Sequence, residues 1–368
     1  MIIGFDASRA FVWEATGTEN YSLNLLKALA RIDRKNKYRV YLRGVSNTAK
    51  IPKNPDFELR PIGPSRLWTQ FSLALETWKH PVDLLFVPAH TLPILGNPKV
   101  KTVVTIHDLG VEYLPNFHKF PQRYYLDFAS KYAARHADAI IAVSSATKRD
   151  LLKRYRIDPK RIFVVHEGVD TAYFRPRGKD EVARMKDKFK IKGDYILFVG
   201  TIQPRKNLEM LIEAFSKIPG NCQLVLAGKL GWDYQEILAA PKKFNVEDKV
   251  KFIGRVPDAD LPALYSGAAV FAFPSLFEGF GLPILEALAC GCPVVASDIG
   301  SHREIAEKLK AVTLAKPTDV NRWSSVLYQT ITKRVKRSTF NNIRSSLKSN
   351  FSWEKAAKAT LGVLESFK

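Results

Sequence analysis

Ten short apolar runs, each followed by a polar turn and a stretch of helical periodicity, alternate along this chain of 368 residues. No single motif constrains the fold as strongly. An apolar run too short to be a helix, with no polar face, must be covered on both sides, which is the condition of a parallel strand between helices. The first set reads as strands at Ile2–Ala7, Tyr38–Leu42, Leu84–Val87, Lys101–Ile106 and Ala139–Val143, with helices such as Ser22–Ala30 and Tyr124–His136 between them. A second set starts afresh at Tyr195–Val199, Gln223–Ala227, Val250–Ile253, Val270–Phe273 and Val294–Ala296. Between the sets, Arg175 to Gly193 is charged and carries Pro176, Gly178 and Gly193, so the expected boundary lies near residue 190. The chain therefore reads as α/β, with two doubly wound parallel-sheet domains at 1–190 and 191–350 and a last helix over 351–368. Ligands collect at the carboxyl ends of parallel strands, so the expected site is a cleft where the two sheets face each other.

Charge narrows the ligand. Lys and Arg number 57 against 36 Asp and Glu, a balance of +21. Up to residue 190 the count is 33 basic against 19 acidic residues, and beyond it 24 against 17. Such a surface attracts nucleic acid, anionic membrane or phosphorylated small molecules, and charge does not choose among them. With 46% hydrophobic and 25% charged residues the chain is neither disordered nor a disulfide scaffold. Cys222, Cys290 and Cys292 fit no disulfide framework or zinc spacing. No run approaches the roughly 18 apolar residues of a membrane span, and Met1 to Ala7 reads as a strand and not a leader. The expected location is the cytoplasm, with peripheral attachment at the inner face of the membrane as the alternative.

The densest signal is Phe273-Pro-Ser-Leu-Phe-Glu278-Gly279-Phe280-Gly281-Leu282-Pro283-Ile-Leu-Glu286-Ala-Leu-Ala-Cys-Gly291-Cys-Pro293. It reads as strand, glycine loop and short helix, with Pro283 at the helix start and Gly291 at its end. Free N–H groups at such a helix start favour a phosphate. Glu278 and Glu286 flank it, and a carboxylate accepts two hydrogen bonds from a vicinal diol. One on a ribose and the other on a sugar would bracket a diphosphate; the spacing alone equally allows Glu286 to complement the helix dipole and Glu278 to be a solvated loop residue. A second element is Tyr195-Ile-Leu-Phe-Val-Gly200-Thr-Ile-Gln-Pro204-Arg205-Lys206-Asn207, a buried strand whose loop delivers two adjacent cations. Arg205 and Lys206 can neutralise a diphosphate without a metal, although cation pairs in a basic protein are also often only solvated.

These two elements, in order with Ile106-His107-Asp108, Ala142-Val143-Ser144, His166-Glu167-Gly168-Val169-Asp170, Gly254 to Ala268 and Phe351-Ser352-Trp353, resemble the retaining GT-B glycosyltransferases of family 4 over nearly the whole chain. The resemblance implies two Rossmann-like domains. It implies a nucleotide-sugar donor held mainly by the second, an acceptor held mainly by the first, a last helix crossing back to the first, and retention of anomeric configuration with no metal or other cofactor. On this resemblance Glu286 takes the ribose diol, Glu278 the donor sugar, and Arg205 and Lys206 the diphosphate. Gly200 belongs to the same loop; Gly279, Phe280, Gly281 and Leu282 offer backbone N–H groups; Gly254, Arg255 and Val256 lie beside the base. Gly17 approaches the phosphates from the first domain, and His107 stands near the donor sugar. Mannose from GDP-mannose follows from likeness to members with the Gly-Thr-x-x-Pro-Arg-Lys-Asn form, with a UDP-sugar as the alternative. The acceptor is a glycan or a lipid-linked chain. Three departures stand out: Thr201 where many members have Arg, Thr16 or Thr18 where they have a second glycine, and Glu167 where they have Asn.

Other readings have weaker support. A nucleotide-sugar epimerase or phosphorylase shares the architecture. A basic nucleic-acid-binding protein fits the charge but lacks a binding motif, so no nucleic acid is expected. Asp258-Ala-Asp260 looks like a metal-binding pair, yet its context reads as a helix start with a capping Asp. His107 can also be a plain strand-end histidine bonding Asp108. Phe117-His-Lys-Phe-Pro-Gln-Arg-Tyr-Tyr125 suits a loop or an anionic membrane surface, and Lys333, Arg334, Lys336 and Arg337 read as a solvated face. Leu67, Trp68 and Phe71 near Arg66 are expected in the core or lining the acceptor side.

Overall fold

Thirteen strands in two wholly parallel sheets organise the chain in the computed structural model, which describes residues 1–11, 17–43, 51–63, 67–110, 122–333 and 337–368. The first sheet contains β1 (Ile2–Asp6), β2 (Lys37–Leu42), β3 (Phe57–Pro61), β4 (Leu84–Val87), β5 (Lys101–Ile106), β6 (Ala139–Ala142) and β7 (Ile162–Val164), in the order β3-β2-β1-β4-β5-β6-β7. The second contains β8 (Tyr195–Val199), β9 (Gln223–Ala227), β10 (Val250–Gly254), β11 (Val270–Phe273), β12 (Val294–Ser297) and β13 (Val312–Ala315), in the order β10-β9-β8-β11-β12-β13. Each sheet starts in its middle and winds outward both ways, so the strand order reverses between β1 and β4 and between β8 and β11. Chains leaving two such neighbours diverge to opposite faces and open a crevice at their carboxyl ends. These are the two Rossmann-like sheets expected.

The ten runs of the sequence all form strands. Three strands have no counterpart among them, and each is marginal. β3 is mostly exposed and carries Glu58 and Arg60, β7 has three residues, and β13 is half exposed. Each lies at a sheet edge, where one flank meets solvent and charge guards against further pairing, so the apolar signal fades.

The compact units are Met1–Gly168 with Trp353–Lys368, and Val169–Ser352. The division precedes the charged stretch that was expected to hold it. Helix Lys179–Phe189 explains the difference: its Met185 is buried, and Gly267 packs so closely beneath Val182 and Tyr195 that a Cβ there would meet them at 2.6 and 2.8 Å. The charged face of that helix is solvated, but its apolar edge belongs to the second core. The helix Trp353–Glu365 lies against Gly17–Ile32 in the first unit, with Trp353 edge-on to Tyr21 at 5.8 Å and Asn36 donating to Glu365 at 3.2 Å.

The basic-aromatic stretch from Phe117 and the Arg66, Arg334 and Lys336 positions lie outside the described residues or side chains. Trp68 is buried, but Leu67 and Phe71 are exposed, so packing in the core holds for only one of the three. The helix start after Asp260 is not capped by that side chain; its carboxylate accepts from Lys188 at 2.6 Å instead.

Candidate functional site

In the second unit the two loops that leave β8 and β11, the neighbours at the reversal point, are the two that carry the sequence signals. After β8 the chain turns at Gly200, runs into a 3-10 turn at Pro204–Lys206 and reverses at Asn207, which has φ of 57° and donates to the Pro317 carbonyl at 2.8 Å. Pro204 sets the turn, so Arg205 and Lys206 project together from a stiff segment. The loop after β11 is joined to it by Leu276 N–H donating to the Arg205 carbonyl at 3.0 Å.

Glu278 closes the arrangement. Arg205 Nη1 donates to Glu278 Oε2 at 3.0 Å and to the Phe277 carbonyl at 2.7 Å, and the Lys206 ammonium pairs with Glu278 Oε1. Lys206 also stands 5.0 Å above the Phe273 ring. Burial raises the Glu278 pKa, but the Arg205 and Lys206 charges outweigh it and hold the carboxyl well below the ordinary range. The solvated-loop reading of these three residues is therefore overturned: their side chains are only 10 to 19% exposed.

The loop then passes Gly279 and Phe280 to Gly281, whose φ of 126° excludes most side chains and whose Cβ would meet Ile284 at 3.2 Å and His302 at 3.3 Å. Leu282 opens the helix Leu282–Ala289. Glu286 on that helix accepts from the Tyr265 hydroxyl at 2.9 Å. Burial pushes its pKa up to about 7; the Tyr265 bond opposes this and the Asp258 charge adds to it. Glu286 also lies beyond the first turn of that helix, where a complement to the helix dipole would stand. Arg255 is exposed and Val256 buried just past the left-handed Gly254 that ends β10.

Several residues here carried no signal in the sequence. Ser301 donates to the Glu278 carbonyl at 2.8 Å, and His302 is fully buried with Nδ1 3.0 Å from the Ser297 carbonyl. Gly228, at the end of β9, is the tightest: a Cβ there would lie 1.8 Å from the Gly200 carbonyl oxygen. Gly228→Ala is accordingly expected to push the Gly200 turn, and with it Arg205 and Lys206, out of register. Overpacking of this kind costs about 1–3 kcal/mol or more, and thermal melts should show a correspondingly lower Tm.

In the first unit His107 follows β5. Its Nδ1 lies 3.1 Å from Glu167 Oε1 and its Nε2 3.1 Å from the Pro88 carbonyl, both acceptors. Tyr21 packs edge-on at 4.7 Å, and Thr147, near the start of helix Ser145–Tyr155, donates to the His107 carbonyl at 3.2 Å. Asp108 instead accepts from the Gly110 N–H at 3.0 Å, so the pairing of His107 with its neighbour does not occur. The partner is Glu167, buried and 60 positions away, one of the residues that departs from the family pattern. His90 is close by, its pKa lowered to about 4 by burial and by the Arg9 and His107 charges. Gly17 is the exposed first residue of helix Gly17–Ile32. If Glu167 orients His107 for transfer, His107→Ala and Glu167→Ala are expected to lower turnover non-additively. A double-mutant cycle should give a coupling of about 1–3 kcal/mol; additive losses would deny the pairing a role.

Among the described residues no group of three or more His, Cys, Asp or Glu side chains is arranged to hold a metal ion. Two doubly wound units, one with an arginine, a lysine and a glutamate locked together at its strand reversal, define a sugar-transfer enzyme of the two-domain class once the likeness to known proteins is added. Residues 15–173 match the family described as Glycosyltransferase Family 4, and residues 180–344 match Glycosyl transferases group 1. The O-antigen chain mannosyltransferase B of Escherichia coli is 30% identical over 71% of this chain and 69% of its own. The O-antigen chain mannosyltransferase RfbU of Salmonella typhimurium is 28% identical over 77% of this chain and 73% of its own. The Anabaena protein HepE in complex with UDP-glucose has the same fold, with a TM-score of 0.78 over all of both chains at 19% identity. The chain belongs to the family 4, group 1 glycosyltransferases.

Proposed function

We propose that this glycosyltransferase moves mannose, with retention of configuration, from a nucleoside diphosphate sugar to a growing glycan carried on a lipid, and that it works in the cytoplasm. The observation that carries the reading is the convergence of Arg205 and Lys206 on Glu278 at the strand reversal. Breaking the bond from the anomeric carbon to phosphate leaves the electron pair on the diphosphate. Two fixed cations stabilise that charge without a metal, to the extent of several kcal/mol by comparison with other preorganised sites, on the order of 3 kcal/mol for each donor. The acceptor oxygen then bonds to the carbon on the same face, and its proton passes to the departing phosphate oxygen. Glu278 holds the sugar and Glu286 the ribose diol. The mannosyltransferase relatives support mannose and an O-antigen type of acceptor, while HepE's complex supports UDP-sugars as the second donor class to test.

The test is a panel of GDP-mannose, UDP-glucose and UDP-galactose, each with and without a mannosylated lipid acceptor. Nucleotide release from GDP-mannose only when acceptor is present, and an α-linked product by NMR, support the reading; release or epimerisation without acceptor favours the epimerase or phosphorylase alternative. EDTA is expected to leave the rate nearly intact, and a loss restored by Mn²⁺ overturns the metal-free mechanism. Arg205→Ala and Lys206→Ala should each weaken nucleoside diphosphate binding, by calorimetry.

A further inference from the structure

At the amino ends of β12 and β13, within the second unit, lies a cavity of about 550 Å³. The loops that carry Arg205, Lys206 and Glu278 leave the carboxyl ends of β8 and β11, so this cavity is at the opposite end of the sheet. Its size suits a small organic ligand. Its inner wall is apolar, formed by Val294, Leu309, Val326, Phe340 and Ile343, all buried. Its outer border is cationic: Lys310, Arg322 and Lys333 are exposed and make no ion pair among the described residues. No Asp or Glu is found among the described residues that line it.

Helix geometry sorts these cations. Lys310 follows the end of helix Gly300–Leu309, where a positive charge complements the dipole. Arg322 does the reverse, standing in the first turn of helix Val320–Thr332, where the dipole disfavours it. Asp319 accepts from the Arg322 backbone N–H at 2.9 Å, but the guanidinium makes no ion pair among the described residues. That helix returns antiparallel to β13 after a turn closed by Trp323 Nε1, which donates to the Lys316 carbonyl at 3.1 Å, so Lys333 past its end comes back to the level of Lys310. Two lysines then border one end of the cavity and Arg322 the other, about 16 Å away along the helix axis. Like charges with no acid among them repel, and a phosphate offsets them, while a planar guanidinium suits a second anionic or flat group. Thr313, Gln329 and Asn342 add polar groups to the lining.

The cavity is joined to the candidate site by two stiff elements. Helix Gly300–Leu309 ends at the cavity with Leu309; near its start, Ser301 donates to the Glu278 carbonyl at 2.8 Å and the His302 ring packs against Gly281. β12 likewise runs from Val294 at the cavity to Ser297, whose carbonyl lies 3.0 Å from His302 Nδ1. Whatever fixes the far ends of this helix and strand bears on the parts that hold Glu278.

We propose that this cavity binds a small organic phosphate as an effector, with the phosphate between Lys310 and Lys333, and that its occupancy changes the affinity of the Glu278 site for a nucleoside diphosphate. The binding itself needs no donor, so it fails separately from the transfer reading. The test is calorimetry of the full chain with inorganic phosphate, mannose 6-phosphate and AMP, each with and without a nucleoside diphosphate. A hexose phosphate or a nucleotide is expected to bind with a Kd of about 1 mM or tighter, and more tightly than inorganic phosphate. Lys310→Gln and Lys333→Gln should each weaken it about tenfold, as for loss of one charge-assisted contact. Arg322→Gln should weaken AMP more than the shorter hexose phosphate. Ser346→Phe fills the cavity without changing its charge and should abolish binding, whereas Lys206→Ala should leave it intact. At saturation the nucleoside diphosphate affinity should shift about fivefold or more, and the effector's affinity by the same factor in return. Melting curves report whether each variant is folded, and the exposed lysine positions keep the test open if Ser346→Phe is not. Loss of binding in Lys206→Ala with parental binding in the lysine variants places the phosphate at Glu278 and overturns the proposal. So does an absence of binding, equal binding of inorganic phosphate, or a nucleoside diphosphate affinity that the bound phosphate leaves unchanged.

Discussion

Glu278→Gln is expected to slow sugar transfer by about 10²–10³-fold, as for loss of one preorganised transition-state contact, and yet to bind a nucleoside diphosphate at least as tightly as the parent. Both halves follow from one geometry. The two oxygens of Glu278 are taken by Arg205 and Lys206, so the glutamate orients the cations and partly neutralises them. A diphosphate that approaches those cations competes with Glu278 for them. Glutamine keeps the shape and removes the competing charge, while the sugar loses an ionised acceptor where positive character develops. The neutral side chain also leaves two cations short of a partner. With side chains 19% and 10% exposed, Arg205 and Lys206 are sheltered enough for a cost of about 3 kcal/mol, the lower end for breaking a buried ion pair. The variant should therefore melt lower than the parent and be rescued further by nucleoside diphosphate. The sign with pH is fixed by the depressed pKa of Glu278. The parent's advantage is full above the ordinary value of 4.5 and is lost as pH falls through the lower folded value, so the two melting curves converge in acid. Parental turnover in Glu278→Gln, or nucleotide binding tenfold weaker, would falsify the assignment.

Donor affinity should rise about tenfold per pH unit up to pH about 7 and level off above it, because only ionised Glu286 accepts both hydroxyls of a ribose diol and its carboxyl is pushed up to about 7 by burial. Below that pH, binding should release close to one proton, which calorimetry in buffers of different ionisation enthalpy reads directly. Tyr265→Phe removes the hydroxyl that donates to Glu286 at 2.9 Å and lowers its pKa, so the midpoint should move to higher pH. Glu286→Gln should weaken binding and abolish the pH dependence. A flat profile in the parent between pH 6 and 8 would separate Glu286 from the nucleotide.

The repeated strand signal made the architecture legible, and the glycine loop and the Pro-Arg-Lys turn made the candidate site residues legible, because these depend on local chemistry. Buried strands must be apolar throughout, and a tight loop must place glycine or proline at particular steps. The edge strands β3, β7 and β13 escaped because an edge is defined by what lies beside it. The unit boundary was misplaced because helix Lys179–Phe189 looks charged, while one side of it is buried against Gly267. Gly228 and Ser301 gave no local sign of their roles, which are to leave room for Gly200 and to hold the Glu278 carbonyl.

The sequence by itself determined the ten strand segments it marks with apolar runs, where the glycine loop and the cations fall, and that two similar sheets follow one another, since each is set by residues within a few positions of one another. Only the tertiary structure decided that Arg205 and Lys206 close on Glu278, 73 and 72 positions away, that His107 answers to Glu167 and not to Asp108, and that Leu67 and Phe71 face outward while Trp68 faces in. The physical reason is common to all three. A side chain's partner depends on sheet order, which brings β8 beside β11 and leaves one face of a helix without a neighbour, and sheet order is a property of the whole chain's packing.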